Sequence, residues 1–592
     1  MIYKIISKVL VNRLQRILPQ IISNSQSAFL PGHLITDNVV VAYELMHTMR
    51  SKWKGNVGYL AMKLDMSKTY DRVEWAFLKA AMLKMGFAQR WVDLVMECVS
   101  TPTYSILING VPQGYIHPSR GVRQGDPFSP FIFLICAEGL SSLIRKAKLA
   151  GLIHGISASR YGPKISHLFF ADNSLLLSRA LVTEVQHISS ILEAYEQASG
   201  QKINKTKTSL YFSPNTPATT RTEICSILGV PAHAPNEKYL GLPIMIGKSK
   251  TRTFNELKER VTKKLMGWKE KTLPSARREI LIKVVAQAIP SYTMSCFKLP
   301  RLWCTDIQAH IGRFWWGQQG SERKIHWVNW TTMCQPKAQG GMGFRDIHSF
   351  NLALLAKQGW WLLQHPASLF CRVFKAKYFP QTNFLHASMG SNPSYIWRSF
   401  LAAQDLLRRG SRWQIRNGTR INIWEDCWSS TKLHRGPSPG SLEKVIDLID
   451  GNSHQWKTNL IRATFSPHEA TSILAISFPA MSITDSLHWK HTKTREFTVR
   501  SAYHLQSQGI DQSNQAEGSN AQDSRRFWKH LWRLQIPHKS KHFLWRACLN
   551  ALPTKANLTH RGISIAGNCA LCPYQSETVT HILWACPLAR NV

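Results

Sequence analysis

The run His167-Leu168-Phe169-Phe170-Ala171-Asp172-Asn173-Ser174-Leu175-Leu176-Leu177 is apolar on both sides of a short polar interruption. That pattern predicts strand, turn, strand, with Asp172 and Asn173 exposed at a hairpin corner. Taken alone the pair is an ordinary turn, because Asp and Asn are common at such corners for backbone reasons. Far upstream, Tyr59-Leu60-Ala61-Met62-Lys63-Leu64 reads as another apolar strand, and it too finishes on a carboxylate, Asp65. Phe131 to Ile144 predicts an apolar helix, Gly267-Trp268-Lys269 opens a helical section through Pro290, and Arg412-Trp413-Gln414-Ile415-Arg416-Asn417-Gly418 predicts a strand and hairpin. Met1 to Leu18 is basic and amphipathic, with Ile2, Ile5, Ile6, Val9, Leu10 and Leu14 on one helical face. Between Gln506 and Ser524 the chain turns polar and poor in large apolar residues, as a flexible linker would. The longest apolar candidate for a membrane span, Leu352 to Leu363, is interrupted by Lys357 and Gln358, so no spanning helix is expected and no membrane partner.

Composition narrows the partners. Lys plus Arg number 74 against 35 acidic residues, a formal net charge of +39, which attracts a polyanion such as nucleic acid and makes binding salt-dependent. A length of 592 residues implies several domains, and 44% hydrophobic residues can fill sizeable cores. The 12 cysteines are mostly scattered, which argues for a reducing compartment. Three of them cluster with a histidine as Cys569, Cys572, His581 and Cys586, the spacing C-x2-C-x8-H-x4-C. Three thiolates and one imidazole make a closed structural Zn²⁺ site with no open position for catalysis. Trp and basic residues concentrate between about Lys250 and Ala480, including Phe314-Trp315-Trp316-Gly317, Trp327, Trp330 and Gly340-Gly341-Met342-Gly343-Phe344. Such aromatics can stack on exposed bases, but clustered large rings more often pack inward, and core is the favoured reading.

Two strand ends that offer acids suggest a pair of hard cations, because Mg²⁺ selects carboxylate oxygens and nucleotidyl transfer uses two such ions about 4 Å apart. Here the residues reach a family. Lys63 to Trp75 resembles motif A of reverse transcriptases, Gly121-Val122-Arg123-Gln124-Gly125-Asp126-Pro127-Phe128-Ser129-Pro130 resembles motif B, and Phe170-Ala171-Asp172-Asn173 resembles motif C. Ala198 to Asn204 through Lys207-Thr208 is similar to motif D, and Lys238-Tyr239-Leu240-Gly241-Leu242-Pro243 to the primer-grip motif. The wording is that of plant non-LTR (LINE-type) retrotransposons. The module after the linker, with Phe527-Trp528-Lys529, Pro537 to Arg546 and the cysteine and histidine cluster, resembles the zinc-binding domain that follows such polymerases.

The resemblance implies an α+β right-hand polymerase fold, with fingers, palm and thumb built on an antiparallel palm sheet with helices. An α-rich connector and a small zinc module follow. The implied boundaries are 1–248 for N-terminally truncated fingers and palm, 249–300 for a thumb-like helical region, 301–505 for a Trp-rich connector, 506–524 for the linker and 525–592 for the zinc-binding domain. It implies that Asp65 and Asp172 bridge Mg²⁺, that Tyr70 screens the sugar 2′ position, and that Arg123, Gln124 and Gly125 lie against nucleotide and template. Lys207 is implied as the group that protonates pyrophosphate, with Lys205 as its competitor, and Tyr239, Leu240 and Gly241 as the primer grip. Gln26-Ser27-Ala28-Phe29-Leu30-Pro31-Gly32-His33 resembles the fingers motif, with His33 where the family usually has Arg. A mitochondrial transit peptide fits the pattern of Met1 to Leu18, but the resemblance places Tyr3 to Leu10 inside the fingers.

The family has two adjacent aspartates in motif C, and this chain has Asn173 in the second place. The expectation is therefore an RNA-directed DNA polymerase that copies an RNA template onto a DNA primer or target DNA from deoxynucleoside triphosphates, impaired at motif C. The alternative is a catalytically dead nucleic-acid-binding remnant. A group II intron maturase is disfavoured by the terminal zinc pattern. Nuclear action is implied by the family alone. Endonuclease and ribonuclease H domains fit nowhere in this sequence, so nicking and RNA degradation are not expected of it.

Overall fold

Tyr59–Leu64 (β1) is apolar at nearly every position because it is an inner strand covered on both faces. It pairs antiparallel with Asn173–Arg179 on one edge and with Ser209–Phe212 on the other. Naming His167–Phe170 β2, Asn173–Arg179 β3 and Ser209–Phe212 β4, the sheet order is β2-β3-β1-β4. Alternation along β3 shows the two coverings. Leu175 faces Val39, Ala42 and Met46 of helix Ile35–Arg50 (α1), whereas Leu176 packs with Ile144 of helix Ser129–Leu149 (α2) and Ile188 of helix Val182–Ser199 (α3). The expected apolar helix from Phe131 to Ile144 is thus the middle of a longer one.

This computed structural model describes residues 2–231, 238–269, 273–318, 324–431, 433–434, 442–451, 453–477, 484–511, 521–572 and 576–590. They divide into two units, residues 1–247 with 361–398, and residues 248–360 with 399–592. The expected connector 301–505 is therefore shared between them. Segment 361–398 joins the first unit through Glu44 on α1. This fully buried carboxylate accepts hydrogen bonds from Lys377 Nζ (2.7 Å), Tyr378 OH (2.7 Å) and Ser394 Oγ (2.6 Å).

In the first unit, helix Ile2–Leu14 forms as its periodicity predicts, but its inner face is rotated. Leu10, Val11 and Leu14 are buried, whereas Ile2, Ile5, Ile6 and Val9 of the expected apolar face are exposed. A hairpin unexpected from the motif reading joins Tyr104–Ile108 to Val111–Ile116. Its turn residues Asn109 and Gly110 have φ of 48° and 83°, the left-handed pair that an Asn-Gly turn supplies.

Among the described residues the second unit is helical, with one two-stranded sheet. Gly267-Trp268-Lys269 closes helix Asn255–Lys269 instead of opening one. Residues 270–272 lie outside the described set, and the chain resumes with Ser275–Leu281, which runs into a wider turn at Ile282–Ala286. Ser411–Gln414 is a strand as expected, but it pairs with Ser486–Trp489 and not with a neighbouring hairpin arm. The rings of Trp303, Trp428, Trp489 and Trp545 are among the most deeply buried side chains, so these aromatics serve as core. Both flanks of the expected linker are helical, in Val499–Asp511 and Ala521–Arg533, and residues 512–520 lie outside the described set.

Helix His538–Cys548 of the terminal module docks within this unit. Trp545 Nε1 donates to the Gly340 carbonyl (2.7 Å), and His542 bonds Glu279 of helix Ser275–Leu281 (3.0 Å). The Gly340-Gly341 pair leaves no room for a side chain. Gly340 has φ of 84° against Trp528, and a Cβ on Gly341 would lie 2.0 Å from the Gln335 carbonyl oxygen.

Candidate active site and metal centre

The register of the sheet sets the acids. Leu64 pairs with Ser174, so Asp65, one residue on, stands level with Asn173. On the other edge the register ends with Lys63 opposite Ser209. Phe170 pairs with Asn173, and the turn is therefore Ala171-Asp172, one residue earlier than the pattern predicts. Asp172 is exposed at the corner, and Asn173 is the first, half-buried residue of β3. Asn173 Nδ2 donates to Asp172 Oδ1 at 3.1 Å. Ala171 adopts φ of 51°, a left-handed conformation uncommon for a residue with a Cβ.

The other motif segments gather around this sheet end. The turn after α3 is tied to the end of β1, with Asn204 N donating to the Asp65 carbonyl (2.8 Å) and Asp65 N to Thr208 Oγ1 (3.4 Å). Lys205 and Lys207 are both exposed in that turn, with the Lys205 ammonium near Gly229. Gly121 N donates to the Val73 carbonyl and Val122 N to the Tyr70 carbonyl, both at 2.8 Å, so motif B starts flush against the segment after Asp65. Gly121 has φ of 90°, and an added Cβ would lie 2.8 Å from the Asp71 carbonyl oxygen. Arg123, Gln124 and Gly125 are exposed, and the space beside the Gly125 α-carbon is open. Tyr70 packs on Phe133, and its phenol is pushed above its ordinary value by burial and by the charge of Asp172.

The primer-grip segment is a tight hairpin, Lys238 pairing with Pro243 and Tyr239 with Leu242, turned by Leu240 and Gly241 with φ of 50° and 79°. Tyr239 is buried and donates from its hydroxyl to Asn38 Oδ1 (3.0 Å), so it holds the hairpin to α1 while Leu240 and Gly241 form the tip. Asn38 was not singled out from the sequence. Its only signal there is a polar residue inside the apolar run of α1. His33 is half-buried, and burial lowers its imidazole below the ordinary value, which disfavours the cationic form that Arg would always supply.

The metal-ligand cluster lies in the second unit. The donor atoms of Cys569, Cys572, His581 and Cys586 all fall within 4.8 Å of one another. A zinc tetrahedron with bonds of about 2.1 to 2.3 Å has donor separations of about 3.5 to 3.8 Å, which this grouping accommodates. His581 Nε2 is 3.4 Å from Cys572 Sγ, and the Cys569 thiol is lowered to about 7, chiefly by the Leu571 N–H aimed at its sulfur. Thiolate character suits a metal ligand.

Family comparison agrees with this arrangement. Residues 1–244 match the family described as reverse transcriptase (RNA-dependent DNA polymerase), and residues 497–592 match the family described as zinc-binding in reverse transcriptase. An Arabidopsis thaliana protein named "Putative ribonuclease H protein" is 31% identical over 365 residues, covering 59% of this chain and 57% of its own length. The transposon TX1 uncharacterized 149 kDa protein of Xenopus laevis is 26% identical over 394 residues, covering 64% of this chain and 28% of its own. A retrovirus-related Pol polyprotein from a type-1 retrotransposable element R2 of Popillia japonica is 27% identical over 170 residues, 29% of this chain and 26% of its own. A polymerase-type palm in the first unit and a thiol-rich ligand cluster in the second define the class: the chain carries a reverse transcriptase domain and the zinc-binding domain of reverse transcriptases, and its relatives include proteins of non-LTR retrotransposons. It spans little more than half the length of the first of these relatives. No helix among the described residues is long and apolar enough to cross a membrane.

Proposed function

We propose that this chain carries the polymerase centre of an RNA-directed DNA polymerase, using two Mg²⁺ ions, with its turnover depressed by Asn173. The observation that carries the reading is the register that brings Asp65 and Asp172 to one end of the palm sheet from distant parts of the chain. Asp172 is exposed and Asp65 half-buried, and both are the hard oxygen donors that Mg²⁺ takes. Bound there, the ions would activate the primer hydroxyl and neutralise charge on the departing pyrophosphate.

The surrounding residues take the remaining roles. Tyr70 closes the space beside Asp172 and so selects deoxynucleotides, and Gln124 with Gly125 forms the bed of the incoming nucleotide and template. Arg123 faces phosphate. Lys207, in the turn tied to the end of β1, delivers a proton to pyrophosphate as a general acid. The Leu240-Gly241 tip grips the primer end, and the cationic surface of the chain holds template RNA, primer and target DNA. The zinc module holds its shape by the metal it binds. The resemblance to these elements supports nuclear action as part of this reading.

A second reading, a nucleic-acid-binding remnant without turnover, is favoured by Asn173. Its amide brings no negative charge, and its Nδ2 occupies an Asp172 oxygen that a cation would use. Losing one metal-facing charge removes several kcal/mol of transition-state stabilisation, a loss of about a hundredfold or more in rate. Primer extension on an RNA template by the native chain, Asn173→Asp and Asp65→Ala separates the readings. Extension by Asn173→Asp about a hundredfold faster than native, with none by Asp65→Ala, supports an impaired polymerase. Zero native extension with restored Asn173→Asp activity supports the remnant, and activity that survives Asp65→Ala refutes both.

A further inference from the structure

A buried amide network stands behind the corner that carries Asp172. Segment Ser25 to Ala28 runs as a short parallel rung along the outer edge of β2, with Phe169 N donating to the Ser25 carbonyl (2.7 Å) and Ser27 N to the Phe169 carbonyl (3.1 Å). Between these bonds Gln26 turns inward, only 2% exposed. Its single Oε1 accepts from Ala28 N (3.0 Å) and from Ala171 N (3.2 Å). Ala171 is the left-handed residue immediately before Asp172, a conformation that persists only when its surroundings over-determine it. Asn38, also buried, completes the network from α1. Its Nδ2 donates to the Phe169 carbonyl (2.8 Å) and to Ser27 Oγ (3.0 Å), and its Oδ1 accepts from Tyr239 OH.

One pair of side chains thus meets three segments: the fingers motif, the strand leading to Asp172 and the primer-grip hairpin. A buried polar group unpartnered in an apolar setting is costly, so a satisfied network of this kind specifies one arrangement of the segments it joins. We propose that Gln26 and Asn38 are positioning residues of the polymerase centre. Gln26 fixes the corner from which Asp172 reaches the metals, and Asn38 sets the distance from that corner to the primer grip. The proposal rests on the polymerase reading above.

The chemistry makes the two residues separable from general packing. Gln26 acts through an acceptor oxygen, and its Nε2 has no hydrogen-bond partner among the described residues. Gln26→Glu therefore keeps every bond that positions the corner, whereas Gln26→Met, similar in volume, removes both. Asn38 acts chiefly through its two donated bonds, so the near-isosteric Asn38→Asp removes those and leaves only acceptors.

The test is Mn²⁺ binding to the full, zinc-loaded chain by electron paramagnetic resonance, which needs no turnover, alongside amide exchange of the sheet to report folding. Asp65→Ala should abolish the saturable Mn²⁺ site. Gln26→Met and Asn38→Asp should weaken it about tenfold or more, the usual cost of losing a group that orients a ligand, while sheet exchange stays near parent. Gln26→Glu should bind within about threefold of parent. Parent-like affinity in Gln26→Met, or a loss in Gln26→Glu as large as in Gln26→Met, overturns the positioning role and leaves the polymerase reading standing. A Mn²⁺ site indifferent to Asp65→Ala removes the polymerase reading, and the positioning role with it.

Discussion

Replacing Glu279 with glutamine should loosen the terminal module from the helix it docks on, and the size of the effect can be worked from the contacts. The carboxylate takes hydrogen bonds from Lys283 Nζ (2.7 Å), Lys337 Nζ (2.8 Å) and His542 Nε2 (3.0 Å). Burial pushes the Glu279 carboxyl up, but the bonds from His542, Lys283 and Lys337 more than reverse this and hold it well below its ordinary value. The lysine side chains are about a third exposed and can turn to water, so each is worth only about 0.5 kcal/mol. His542 is 4% exposed, cannot escape, and its bond to a charged partner is worth about 2 kcal/mol. The expected loss is about 3 kcal/mol, or about a hundredfold faster amide exchange across His538–Cys548 when exchange is limited by local opening.

The pH dependence has a defined sign. A carboxyl depressed in the folded state stabilises fully above its unfolded value of about 4.3, and that stabilisation drains as pH falls below it. Protection of His538–Cys548 in the parent should therefore fall on acidification below about pH 4.5, and Glu279→Gln should lack this limb. Exchange in Glu279→Gln within a factor of about two of parent at neutral pH, or an unchanged acid limb, would show that Glu279 does not hold the terminal helix.

Other perturbations have equally direct readouts. Cys572→Ser should take zinc, measured by atomic emission, from one equivalent per chain to well below one, with faster exchange confined to the region of the cluster; full zinc content would remove the site. Gly121→Ala forces a Cβ into the Asp71 carbonyl at a left-handed φ, and should cost about 2 kcal/mol or more in local stability of the motif B loop. An unchanged exchange pattern there would show that the loop is not held as described. Glu44→Gln leaves Lys377 paired to no charge in a site where that lysine is only 13% exposed, and should destabilise helix Leu369–Tyr378 by about 3 kcal/mol. Parent-like exchange in that helix would contradict the docking of 361–398.

The parts of the site that were legible in the sequence are those written in local pattern. An apolar strand that ends on Asp65, a hairpin carrying Asp172 and a C-x2-C-x8-H-x4-C cluster each announce themselves within a few residues. The one-residue error at the corner has a non-local cause, since Ala171 takes the left-handed position that Asn would more readily occupy, with Gln26 bonded to its N–H from far upstream. Partners distant in the chain were illegible for the same reason. Nothing near Arg412 says that its strand pairs with Ser486–Trp489, and nothing near Glu44 says that Lys377 will reach it. The Tyr104 to Ile116 hairpin was legible from its Asn-Gly turn but carries no residue of the motifs that drew the reading.

A polymerase centre requires that Asp65 and Asp172 hold the same cation. Anomalous diffraction from crystals of the full chain grown with Mn²⁺ measures this directly. A peak bridging one carboxylate oxygen from each residue is the predicted result. Mn²⁺ bound by one of them alone, or at neither, would contradict it.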